Sequence, residues 1–164
     1  MSPNILLILT DQQRWDSLGC YDTPGVHTPN LDDLATTGTR YTQCYVNNPI
    51  CTPSRASLWT GKHLPGHGVY HLHDVLPANE ILFPYFLREA GYDTALFGKL
   101  HVAGHMWEMK YRHQWDGFNT YEWAPDPSGY KGCETAYSRW LGIHHPDVLK
   151  RWREHDNKIG HVPK

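Results

Sequence analysis

The chain has 164 residues, enough for one ordinary domain with a real core. Fifteen Lys and Arg against seventeen Asp and Glu leave a net charge of −2, which speaks against a nucleic-acid footprint or a basic membrane face. Four cysteines, Cys20, Cys44, Cys51 and Cys133, show no CxxC pairing and are sparse for a disulfide scaffold, so reduced thiols are expected.

Asn4-Ile5-Leu6-Leu7-Ile8-Leu9-Thr10 is an apolar run without alternation, the pattern of a strand buried on both faces in a parallel sheet. It is too short to span a bilayer and lacks a charged leader, so neither an anchor nor a signal peptide is expected, and a cytoplasmic location follows. The run ends at Asp11-Gln12. In open α/β sheets ligands bind beyond the carboxyl ends of strands, which puts Asp11 in a functional position. Residues 18–25 read as loop. A helix from Leu31 to about Thr37 follows, capped by Asn30 or Thr28, ended by Gly38 and burying Leu31, Leu34 and Ala35. Arg40–Val46 has β-forming residues and partial alternation and is read as a strand.

Cys51-Thr52-Pro53-Ser54-Arg55-Ala56-Ser57-Leu58-Trp59-Thr60-Gly61-Lys62 places a reactive side chain at the mouth of a short helix. Thr52 is read as the cap, Pro53 as the first helical residue and Gly61 as the terminator. Unpaired N–H groups and the positive end of the helix dipole would face Cys51, with Arg55 one turn on, an arrangement suited to anions. Residues 63–77 are read as loop, and Glu80–Ala90 as a helix capped by Asn79, with Ile81, Leu82, Tyr85, Phe86 and Leu87 inward. Tyr92–Gly98 is read as a second buried strand, delivering Lys99-Leu100-His101 at its carboxyl end. The repeated strand–loop–helix order predicts a parallel sheet with right-handed crossovers. Beyond about Gly104 the pattern degrades into an aromatic loop region, followed by a polar helix from Pro146 to about Lys158 that bears Leu149 and Trp152. The histidines His71, His73, His101, His105, His144 and His145 form the closest sets among twelve, but no spacing resembles a structural zinc site.

The Cys-x-Pro-Ser-Arg-x-x-Leu-x-Thr-Gly-Lys block beginning at Cys51 resembles the signature of the sulfatases, formylglycine-dependent enzymes of the alkaline phosphatase superfamily. Pro3–Asp11 resembles the family's first strand and first metal ligand, Thr28–Asp32 a family turn, and Gly91-Tyr92-x-Thr94-Ala95-x-x-Gly98-Lys99-x-His101 its Gly-Lys-x-His block. The resemblance runs over residues 3–103 and implies an α/β/α sandwich with a mostly parallel central sheet. Residues 1–164 would be the N-terminal part of that domain, with 104–164 as an aromatic loop and helix region, and so incomplete.

The resemblance further implies that a converting enzyme, the formylglycine-generating enzyme, oxidises Cys51 to an aldehyde whose hydrate is the nucleophile. Asp11, Gln12 and the side chain at position 51 would bind one divalent cation, Ca²⁺ first, with Mg²⁺ or Mn²⁺ as alternatives. One hydroxyl of the hydrate attacks sulfur, the alcohol leaves, and the second hydroxyl expels sulfate. Arg55 would hold the hydroxyls, Lys99 would bridge nucleophile and sulfate, and His101 would take the proton from the second hydroxyl. His71 and His73 fall where relatives carry pocket residues. Many family members have a second Asp where Gln12 stands, and phosphonate or phosphate hydrolases share the Gln with many bacterial sulfatases, so the partner is a small sulfate ester or else a phosphonate or phosphate ester. The family's remaining ligands are expected beyond residue 164, and the 164 residues alone are expected to be inactive. Asp156-Asn157 follows a charged run and is read as a solvated helix end. A non-catalytic domain with a structural Cys51 is the reading from another class, and homo-oligomer formation is left open.

Overall fold

Prolines set where several helices begin, because a missing N–H is harmless only in the first turn. A computed structural model describes residues 2–125 and 134–159, with side chains to 155. Within them α1 is Pro29–Thr37, α2 Cys51–Thr60, α3 Leu64–His67, α4 Phe83–Glu89, α5 His105–Glu108, α6 Ala136–His144 and α7 Pro146–Ile159. Strands β1, Ala95–Gly98, and β2, Thr120–Trp123, complete the set among the described residues. The chain divides into two units, Met1–Tyr45 and Val46–Lys164.

In the first unit, two 3₁₀ turns, Trp15–Ser17 and Gly19–Tyr21, precede α1. Asp32 Oδ1 accepts hydrogen bonds from the Cys20 N–H at 2.7 Å and the Thr28 hydroxyl at 2.9 Å, while Thr28 Oγ1 accepts the Gly19 N–H at 2.8 Å. Thr28 is the residue that caps α1, but its hydroxyl serves this loop and not the helix N–H groups. The expected inward face is exposed: Leu31 and Leu34 lie open and Ala35 is half-buried. The segment 4–10 forms no strand, and Leu6 and Ile8 are 85% and 78% exposed. Residues 40–46 form none either, with Tyr41, Tyr45 and Val46 exposed. A strand's N–H and C=O groups are satisfied only by neighbouring strands, so an apolar pattern without such a neighbour stays unpaired.

In the second unit β1 and β2 pair in parallel, with Ala95 opposite Thr120 and Gly98 opposite Trp123. The expected strand Tyr92–Gly98 shortens to its last four residues and alternates: Leu96 is buried, Phe97 exposed. Before it, Thr94 turns its hydroxyl onto the Gly117 carbonyl at 2.6 Å, and its own carbonyl takes the N–H groups of Asn119 and Thr120. The core gathers Ala56, Trp59, Val69, Leu76, Leu82, Leu96, Leu100, Val102 and Phe118. Trp59 is its centre, stacked on Phe83 at 5.3 Å and edge-on to Phe118 at 5.8 Å. Gly117 is required by close approach, since a Cβ there would lie 2.1 Å from the Tyr85 backbone nitrogen.

Helix α4 begins three residues after the expected Glu80. Extending it upstream would put Pro84 in a helix interior, where its ring meets the carbonyl four residues back. Leu82 stays extended instead, gives its N–H to the Trp115 carbonyl at 3.1 Å and caps α4, while Ile81 and Phe86 are exposed. The expected loop 63–77 contains the single turn α3. Past Gly104 the chain is more ordered than its pattern suggests, with α5, β2 and α6 in place. Thr135 and Ser138 form a capping box that starts α6. The helix expected from Pro146 is α7, with Leu149 buried. Cys133, Pro127, Gly129 and the side chains of Asp156 and Asn157 lie outside the described residues. Cys20, Cys44 and Cys51 are free thiols. No helix among the described residues is long and apolar enough to cross a membrane.

Candidate active site

Helix α2 is capped by Ile50 without a side-chain hydrogen bond, so Cys51 is its first residue and Pro53 its third. This moves the helix start two residues upstream of the expected one. Pro53 still sits within the first turn, where no N–H is needed. Gly61 ends the helix at φ 69°, and its N–H returns to the Ser57 carbonyl. Cys51 is half-buried at the end where the first amides point outward.

The inward face of α2 carries Thr52, Arg55 and Trp59, at the i, i+3, i+7 spacing of one helical stripe. Each holds one of three consecutive residues after β1. Arg55 Nη1 donates to the Lys99 carbonyl at 2.5 Å, and Trp59 Nε1 donates to the Leu100 carbonyl at 3.1 Å. The Thr52 hydroxyl donates its one proton to the Leu72 carbonyl at 2.7 Å. The contact of 3.2 Å between Thr52 Oγ1 and His101 Nε2 is therefore an Nε2–H donating to the hydroxyl oxygen. In the neutral ring this leaves Nδ1 as the nitrogen with a lone pair. Thr52, expected as a cap, is instead the residue that fixes this tautomer.

His101 is 3% exposed and holds a left-handed backbone, φ 58°, uncommon for a residue with a β-carbon. Glu108, in α5, meets this turn from beneath. Its Oε2 accepts the His101 N–H at 3.1 Å and the Trp123 indole N–H at 3.1 Å. Its Oε1 accepts the Val102 N–H at 2.6 Å and the Ala103 N–H at 3.3 Å. Burial pushes the Glu108 carboxyl above the usual carboxylate range, against these N–H donors, which lower it. The His105 ring lies 4.4 Å from that of His101.

Behind α2, Ser57 Oγ sits 2.8 Å from Nε2 of the buried His67, whose Nδ1 accepts the Val69 N–H at 3.1 Å. Burial, the largest influence, holds the His67 imidazole below the usual histidine range. His71 and His73 are exposed, on a turn whose Asp74 accepts the Tyr70 and His71 N–H groups.

Of the expected site residues, Cys51 and Arg55 thus lie on α2 and Lys99 and His101 on the turn after β1, two elements joined by the Arg55–Lys99 carbonyl and Thr52–His101 contacts. Asp11 and Gln12 belong to the first unit, both exposed, with Gln12 in a left-handed backbone at φ 57°. Their carboxylate and amide oxygens are hard donors of the kind Ca²⁺ or Mg²⁺ takes. Among the described residues no three His, Cys, Asp or Glu side chains form a metal cluster. Sequence reasoning missed Glu108, whose partners are three main-chain N–H groups with no signature of their own, and Trp123, whose indole N–H meets the Glu108 carboxylate; a lone acid among aromatic residues was the one available signal.

The family model for sulfatases matches residues 3–157. The chain belongs to the sulfatase family, of which it carries the N-terminal portion. It is 44% identical over 104 residues to an ulvan-active sulfatase of Formosa agariphila, covering 63% of this chain and 20% of that protein. It is 35% identical over 143 residues to the human N-acetylgalactosamine-6-sulfatase, covering 79% of this chain and 26% of the relative. Among solved structures, the phosphonate monoester hydrolase of Agrobacterium radiobacter superposes with a TM-score of 0.69 at 30% identity, over 89% of this chain and 30% of that one. A protein solved with its substrate D-glucosamine-2-N,6-O-disulfate gives a TM-score of 0.64 at 33% identity, over 73% of this chain and 22% of that one. The chain thus spans a fifth to a quarter of the length of the curated relatives it matches. The α/β class with a parallel sheet, incomplete here, agrees with these neighbours.

Proposed function

We propose that this chain carries the nucleophile and the anion-neutralising half of a sulfuric-ester hydrolase, with residues 3–103 as the motif-bearing part. The observation that supports the reading is the stitching of α2, which carries Cys51 and Arg55, to the turn after β1, which carries Lys99 and His101.

Position 51 would be a formylglycine, whose hydrated aldehyde supplies the attacking hydroxyl and a second one that releases sulfate. Asp11, Gln12 and position 51 would hold a divalent cation, Ca²⁺ by the hardness of the oxygen donors, which would supply charge neutralisation for the ester oxygens. The residues of this chain do the rest. Arg55 and Lys99 bring two positive charges toward an anionic ester whose oxygens repel a nucleophile. Arg55 is buried and anchored to the Lys99 carbonyl, so little reorganisation is needed as charge develops. His101, with Nε2–H committed to Thr52, presents Nδ1 as the base for a hydroxyl proton at position 51.

A phosphonate or phosphate ester is the second reading. It is supported by the likeness to the phosphonate monoester hydrolase. The test is to make the intact protein in a host with the formylglycine-generating enzyme, then run peptide mass spectrometry across Cys51 and assay aryl sulfate and aryl phosphonate. A thiol-to-aldehyde mass change with faster sulfate turnover supports the proposal. An unmodified, alkylatable Cys51 with turnover of neither ester would favour a non-catalytic domain.

A further inference from the structure

We infer that Glu108 is a positioning residue for His101, acting through the main chain. The inference deepens the proposed function and rests on it for His101's part in the chemistry.

Three consecutive N–H groups, of His101, Val102 and Ala103, point at the two oxygens of a single carboxylate that is 7% exposed. Consecutive amides converge in this way only when the chain curls around an acceptor, and the curl is what puts His101 at φ 58°. A histidine in that region loses the support of an ordinary backbone well, so something must over-determine it. Glu108 on the backbone side and Thr52 on the ring side both do so. The Trp123 indole N–H holds the carboxylate from β2, so the clamp is anchored to the sheet. Every one of these groups on Glu108 is a donor, which an ionised carboxylate alone satisfies in full. A Gln side chain would turn an NH₂ toward at least one N–H. His101 would then be released toward negative φ, and its ring would leave the Thr52 hydroxyl.

The test uses Glu108→Gln, Glu108→Asp, His101→Ala and the double variant Glu108→Gln/His101→Ala in the intact protein. It reads kcat and KM on aryl sulfate and aryl phosphonate, together with ¹⁵N signals of the histidine rings. Glu108→Gln is expected to lower kcat about 10- to 100-fold with KM within about threefold, a share of what a positioned acid–base group supplies. Glu108→Asp, which keeps the charge on a shorter arm, is expected to lose less. The double variant should be no slower than His101→Ala, because a positioning residue has nothing left to position. In the spectra the His101 ring should leave its Nε2–H signature in Glu108→Gln, while the His67 ring, held by Ser57 and Val69, stays in place and reports an intact fold. Glu108→Gln slowing the His101→Ala background as much as the wild type would overturn the inference. So would an unmoved His101 ring signal with unchanged kcat. If the intact wild type turns over neither ester, the functional reading fails, and the ring signals alone then decide whether Glu108 positions His101.

Discussion

Two regions of the chain behave differently, and the more apolar one is the one left open. Residues 51–60 and 99–103 are closed into a knot of side chains gripping main-chain groups, while residues 4–10 lie open with five consecutive aliphatic residues exposed. The difference is one of self-sufficiency. Helix α2 makes its own backbone hydrogen bonds and needs only one covered face, so a short stretch can hold its shape. A parallel strand makes none internally, and its worth depends on neighbours at either edge. The same family resemblance therefore falls on a closely bonded region in the second unit and on an exposed segment ending in Asp11 and Gln12 in the first.

Breaking the knot at its chemistry should have the largest effect. Cys51→Ala in the intact protein is expected to lower ester turnover by at least about 10³-fold, as for other covalent nucleophiles, measured by initial rates under substrate saturation. Breaking it at its packing comes next. Trp59→Ala removes a nearly buried indole and its bond to the Leu100 carbonyl, and should cost about 3–5 kcal/mol in denaturant unfolding. Leu6→Ser in the open segment is the sharpening control, expected within about 0.5 kcal/mol by the same assay. A large loss at Leu6 would show that segment to be covered in solution.

His67 tests the same knot by pH. Its folded pKa is depressed, so the folded state prefers the neutral ring; the stabilisation is complete above the unfolded value of about 6.5 and is lost as pH falls from there through the folded value. Unfolding followed by urea across that range should show stability falling on acidification. His67→Asn, which keeps an acceptor near the Val69 N–H without titrating, should flatten that dependence. A similarly small effect is expected at the Arg139–Glu122 pair of 2.9 Å, half-exposed on both sides, where Arg139→Ala should cost about 0.5 kcal/mol and less at high salt.

Much of the site was legible because its parts are local. The block from Cys51 to Lys62 announces a helix, an anion-ready end and a terminator within twelve residues, and Lys99 and His101 follow a strand pattern directly. Errors arose wherever a residue's partner lay far along the chain. Thr before Pro has the pattern of a helix cap, yet the Thr52 hydroxyl bridges Leu72 and His101, twenty and forty-nine residues away. The strands expected at 4–10 and 40–46 had the right residue types and lacked neighbours, and β2 was missed because Thr120–Trp123 is four residues long within an aromatic stretch. The start of α4 was misplaced although Pro84 carried the signal, since a proline reads equally as a first-turn residue of a helix begun later.

By itself the sequence determined the family, the helix that begins at Cys51 and the helix from Pro146, because each is written in residues close enough to bond or pattern with one another. Tertiary structure alone decided which way His101 faces, which of its nitrogens carries the proton, and that Glu108 stands beneath it. Those depend on groups brought together from separate elements, and no local pattern encodes which main-chain N–H a distant carboxylate will meet.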